Sequence, residues 1–281
     1  MLWFGKQAEA KAAGDSITPA ALPVEMDDRI AESKLDALLS ELEERGGLEP
    51  FLASLQAKHE LFLAALPEQE PQQLSRDAVN AVINCVFTAR RKLREFLAEI
   101  EETALFDALK QLAYSDESLT DRLQQFVEVV PQEQKKQRRA MWDLGAEILH
   151  FRRPEAIPLM TRWVWDSSTA SGALREFIRL GDSLDSVPLD TRPETFEGGR
   201  VWLAEVLNER GFYREVPYLV DLVMAQAYAD YVKAMSSGFG MIDAEFGAQQ
   251  DPLEFLVKLL GVDSRTAGAG AEPGSRPDTL H

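Results

Sequence analysis

Apolar residues return every third or fourth position, in one segment after another, from residue 27 to residue 261. No other feature constrains the fold of this chain so strongly. The spacing stacks side chains on one face of an α-helix, and that stripe must be buried against other helices. In DDRIAESKLDALLSELEERGG the stripe is Ile30, Leu35, Leu38, Leu39 and Leu42, and Gly46 and Gly47 supply the stop. Phe51, Leu52, Leu55, Leu61 and Phe62 continue it until Pro67. Ser75 is placed to cap a helix whose first half is apolar all round (Val79, Val82, Ile83, Val86, Phe87), as in the middle of a bundle. Its second half, from ARRKLREFL to residue 114, turns amphipathic. Pro131 fits the first turn of a helix whose buried face is Met141, Leu144, Ile148 and Phe151.

Farther on, Thr191 and Glu194 have capping-box spacing ahead of TFEGGRVWLAEVLNERG, a long helix runs to Gly238, and Asp251–Pro252 opens a short last one. Strand signals are thin. RWVWD is the one β-flavoured segment, and it also fits a short helix after Pro158. The expected fold is therefore all-α, an extended multi-helix bundle. Residues 1–25 are read as a disordered arm and residues 264–281 as a disordered tail, on their Ala, Gly and Pro content. Residues 26–115 form an N-terminal helical part and residues 116–263 a C-terminal one, continuous as one domain, with a junction near residues 115–131.

Composition bears on compartment and partners. The chain has 281 residues, a formal charge of −17 and a single cysteine, Cys85, set among apolar neighbours. A buried, inert thiol and a reducing, cytoplasmic location are expected. No apolar run approaches the ~18 residues that span a bilayer.

Chemical motifs are sparse. Glu147 and His150 share the i, i+3 spacing of bundle metal sites, but no second such pair exists among only three histidines, so no metal and no cofactor are expected. Phosphate loops, dinucleotide fingerprints and nucleophile elbows are missing, and no catalytic residue is assigned. From Pro131 to Arg179 nine basic residues face six acidic ones. The stripe over residues 135–153, with Lys135, Arg138 and Arg139 on one face, is the third functional possibility, nucleic-acid binding. The acidic surroundings count against it.

The densest constellation is HFRRPEAIPLMTRWVWD, residues 150–166, a corner held by Pro154 and Pro158. Arg152, Arg153 and Arg162 lead into Asp166, Ser167 and Ser168, ahead of a helix that begins near Gly172. With Trp163 and Trp165 as a wall, the corner suits an anion, a nucleotide or a protein partner. Its bland alternative is a buried aromatic corner with arginines whose heads stay in solvent. The last helix offers Leu253, Leu256, Val257 and Leu260 as anchors for a partner groove, or else it closes the chain's own bundle. The leading expectation is a soluble, non-enzymatic helical accessory or assembly protein that binds another protein. An anion or nucleotide site at the 150–172 corner is the alternative.

Overall fold

The 18 residues from Lys135 to Arg152 form the axis of the molecule, since all but one from Ala140 to Arg152 are buried. In a computed structural model describing residues 17–179, 187–238 and 251–263, the chain is all-α, 65% helical. The helices are α1 (Asp28–Glu43), α2 (Glu49–Ala65), α3 (Arg76–Cys85), α4 (Phe87–Lys92), α5 (Arg94–Glu99), α6 (Glu102–Tyr114), α7 (Leu119–Glu128), α8 (Lys135–Arg152), α9 (Ala173–Phe177), α10 (Pro193–Glu209), α11 (Val216–Gly238) and α12 (Pro252–Leu259). Among the described residues there is no strand, only the isolated antiparallel bridges Met26–Ile178 and Asp166–Ser171.

α2, α4, α6 and α7, all earlier in the chain, converge on α8. α7 packs along one side, where Gly145 leaves room for Leu123 and Phe126; a Cβ there would come within 2.9 Å of both side chains. α2 and α4 cover other faces, and α11 packs with α1, α9, α10 and α12. One hydrophobic cluster runs from Ala31 to Leu260. A single core of this extent is within what a chain of this length can bury.

Local chemistry sets most boundaries. Asp27 caps α1, Ser75 caps α3, Ser118 caps α7 and Asp251 caps α12, each side chain accepting a backbone N–H of the first turn. Gly46 and Gly47 take positive φ, and the Gly47 N–H returns to the Leu42 carbonyl, which ends α1.

Four expectations shift. The helix expected through residues 76–114 is interrupted at Val86, whose backbone is extended, and again at Leu93 and Ile100. The last turn of the chain packs at the first break: a Cβ on Gly261 would lie 1.6 Å from the Cys85 carbonyl oxygen, so this close approach of backbones needs glycine. Pro131 lies in the turn ahead of α8, and the helix starts at Lys135. The capping box is replaced: Arg192 is the cap residue of α10, and Asp190 accepts the Arg192 N–H and the Thr195 hydroxyl. The junction shrinks to a turn over residues 115–118, and α7 fills most of the rest.

The arm expected over residues 1–25 is docked from Ile17 onward. Ala20 donates its N–H to the Glu194 carbonyl, Asp27 donates to Phe177, and Arg179 donates back to Glu25. Gly198 on α10 permits this approach, because a Cβ there would come within 2.4 Å of the Ala20 carbonyl oxygen. Residues 1–16 and the expected tail, 264–281, lie outside the described residues.

Candidate functional site

At the 150–172 corner the structure spends most of the polar groups on its own backbone. Arg152, the last residue of α8, is buried. Its Nε and two terminal nitrogens donate to the carbonyls of Leu66, Ala113 and Pro67 at 2.7, 2.8 and 2.8 Å, and its head lies 4.7 Å from the centroid of the Tyr114 ring. It ties the C-terminal ends of α2 and α6, where carbonyls lack helical partners. The head expected in solvent thus points inward. Arg153 is half-buried. Arg162 pairs with Asp166.

Trp163 and Trp165 are buried, the second with its indole N–H on the Leu189 carbonyl. Ser167 and Ser168 are exposed, and Ser168 donates both N–H and hydroxyl to Asp166. Burial raises the proton affinity of Asp166, but the bonds from Ser168 and Arg162 hold its carboxyl below the ordinary value. The first N–H groups of α9 are taken as well: Ala173 donates to the Trp163 carbonyl and Leu174 to that of Val164. So the two tryptophans, Arg152 and the α9 N-terminus are brought together as a packed corner, and of the expected site residues the two serines face outward.

Behind the corner lies a polar seam that sequence reasoning touched only through Glu147 and His150. Asp143, Glu147 and His150 share one face of α8 by their i, i+3 and i, i+4 spacing, and all three are buried. Lys58 on α2 places Nζ 2.6 Å from Glu147 and 2.6 Å from the Leu260 carbonyl; the pair is 2% and 5% exposed. His150 contacts Asp221 of α11 through Nε2 at 2.8 Å and the Ile157 carbonyl through Nδ1 at 2.7 Å. Lys58 and Glu147 form a salt bridge, and His150 is held by hydrogen bonds to a carboxylate and a backbone carbonyl. Among the described residues no group of three or more His, Cys, Asp or Glu side chains could hold a metal ion.

Burial pushes the Glu147 carboxyl up, and the Lys58 ammonium pulls part of that shift back. Burial likewise raises the Cys85 thiol, which keeps it a protonated, unreactive group.

Asp143 is the outlier. Burial lifts its carboxyl from 3.8 to about 7, against the Arg162 backbone N–H and the Arg162 charge, while Glu147 adds to the rise. A folded value above the unfolded one means that the fold favours the protonated acid. This contribution is full below about pH 4, declines as pH rises toward 7 and is lost above it. The whole shift corresponds to roughly 4 kcal/mol. Asp143→Asn keeps an acceptor for Arg162 and has no charge to bury. The variant is expected to gain on the native chain from pH 5 to about pH 7 in urea-unfolding midpoints and to level off by pH 8; parallel curves over that range would count against a buried carboxylate.

The last helix is seated on its own bundle. Leu253, Leu256 and Leu260 are buried and Val257 is half-buried. Lys58 holds one end, Arg45 pairs with Asp251 at the other, and Arg90 grips Asp263 through two bonds of 2.8 and 2.9 Å. In the described structure Leu253, Leu256 and Leu260 are covered by the chain's own bundle, and Val257 stays partly open.

An open groove runs along α10. The docked segment, from Pro19 to Met26, forms one wall, and Gly198, Val201 and Trp202 form the other. Trp202 donates its indole N–H to Asp28 at 2.8 Å and packs on Phe177. Glu205 is exposed at the rim, and the groove holds about 510 Å³. The EGG sequence at Glu197 to Gly199 was its one visible signal: adjacent glycines inside a helix mark a close backbone approach. No helix among the described residues is long and apolar enough to cross a membrane. Compared with protein-family models, curated proteins and solved structures, the chain finds no match in any of the three.

Proposed function

We propose that the protein is a non-enzymatic helical accessory or assembly factor that acts in the cytoplasm by binding another protein. The observation that supports this reading is the groove along α10, whose wall already holds an extended backbone: the Ala20 N–H bonds the Glu194 carbonyl, and Gly198 lets the main chain pass. Val24, Met26, Val201 and Trp202 offer it half-buried apolar area, with Asp28 and Glu205 at the edge. A small open groove with apolar walls and a few polar groups suits an apolar anchor on a partner chain. The seam on α8, by contrast, is sealed and internally paired, so its ionisable groups serve the fold.

Capture of the tagged chain from its own cells tests the reading. The native chain is expected to enrich a protein partner reproducibly, and Val201→Arg with Glu205→Arg is expected to lose it with the melting temperature changed by no more than a few degrees. Absence of any enriched protein with the native chain sinks the proposal. The alternative, an anion or nucleotide at the corner, finds Arg152, Arg162 and the α9 N-terminus already occupied.

A further inference from the structure

Among the described residues the exposed Arg45, Arg179, Arg192 and Arg210 and the half-buried Lys34, Lys110, Arg200 and Lys258 each meet a carboxylate, whereas the exposed Arg29 and Arg214 make no ion pair. Lys92, Arg94, Lys135, Lys136 and Arg139 are exposed and make no ion pair among the described residues. They come from two segments, RRKLR and KKQRR, more than forty positions apart.

The packing of α4 on α8 joins these segments. Cys85 lies within the field of Glu147, and Thr88 faces Asp143, so positions rise along α3 and α4 as they fall along α8. One further turn on each helix carries Thr88 to Lys92 and Asp143 to Arg139, on the same faces and at a helix–helix spacing of about 8–10 Å. The patch is thus built by the fold, with Glu95 and Glu133 its nearest exposed acids by position in the chain.

Helix electrostatics do not account for it. Cations at the end of α4 complement its C-terminal partial charge, but Lys135 and Lys136 occupy the first turn of α8, where a cation is unfavourable. Among the described residues nine other helices put an acid in that turn. A chain with 47 acids keeps its cations here against local stability.

We infer that the α4–α8 surface is a docking patch for a short acidic segment of a protein partner. The inference rests on the protein-binding reading above and names the chemistry of the partner. Patch and segment are complementary in charge, and about one helical turn on each side matches a peptide of a few residues. A long polyanion would run from the patch into the field of a −17 chain. Single-stranded nucleic acid also asks for open aromatic faces, but the Phe87 ring lies under Arg90 and Arg91, and the Trp142 indole N–H is spent on the Met160 carbonyl.

The test uses the full chain and a labelled ten-residue glutamate-rich peptide, read by fluorescence anisotropy at 50 mM salt, with a ten-nucleotide single-stranded DNA in parallel. Binding of the peptide is expected to fall at least tenfold in Lys92→Glu/Lys135→Glu/Lys136→Glu/Arg139→Glu and to persist in Arg29→Glu/Arg214→Glu, which reverses exposed charge elsewhere. Equal binding by both variants, no binding by the native chain, or tighter binding of the DNA overturns the inference. So does a native dimer that the fourfold variant dissolves in sedimentation, since that assigns the patch to a second copy. In the cell-capture experiment, a partner retained by the fourfold variant but lost with the groove variant would remove the patch and leave the protein-binding reading standing.

Discussion

Lys58→Met is expected to cost about 3 to 5 kcal/mol, because it leaves the Glu147 carboxylate buried without a partner. The same change takes the donor from the Leu260 carbonyl and so loosens α12 from α2. Attraction between the two charges is not the reason for so large an effect, since desolvating both offsets much of it; the unpaired survivor is. Two consequences separate this account from simple loss of packing. The double variant Lys58→Met/Glu147→Leu should recover most of the loss, and the deficit of the single variant should shrink at low pH, where Glu147 takes up a proton. Urea unfolding at pH 5 and pH 7 checks both. A single variant within about 1 kcal/mol of the native chain would mean that water reaches Glu147.

Arg152→Met is expected to be nearly as damaging, at about 3 to 5 kcal/mol, because three carbonyls lose a charged donor at once. Leu66, Pro67 and Ala113 end two different helices, so the loss should appear as a less cooperative transition as well as a lower midpoint. Arg139→Ala, on the same helix but exposed, should stay within about 0.5 kcal/mol and serves as the control. An Arg152 variant as stable as that control would put its guanidinium in solvent.

The contrast between those two arginines shows what periodicity conveys and what it does not. The stripe through Leu35, Leu38 and Leu42 is visible because burying an apolar face imposes a period on sequence, and all three side chains are in the core. The stops at Gly46 and Gly47 and the caps Ser75 and Asp251 were equally plain, since each answers a local need of the backbone. Arg152 answers a need 86 positions away at Leu66, and nothing near it in sequence records that carbonyl. At the Val86 break the Cys85 carbonyl is covered by Gly261, again a neighbour far away in the chain. The corner was legible as a corner through Pro154 and Pro158, but the fate of its polar groups was set by partners on α2, α6 and α9. Glu147 and His150 stood out by spacing. Their partners Lys58 and Asp221, on other helices, decided that the first forms a salt bridge and the second is held by a hydrogen bond.

Closure by α12 also sets a timetable for biosynthesis. The bond from Lys58 to the Leu260 carbonyl joins positions 202 residues apart, and Arg90 reaches 173 residues forward to Asp263. At a synthesis rate of about 5–20 residues per second, the growing chain carries Lys58 for roughly 10 to 40 seconds before its counterpart exists. Once α11 has formed, the seat of Leu253, Phe255, Leu256 and Leu259 stands open until α12 follows. Premature termination between residues 238 and 251 would release a product with that apolar trough exposed, a natural substrate for chaperones and proteases.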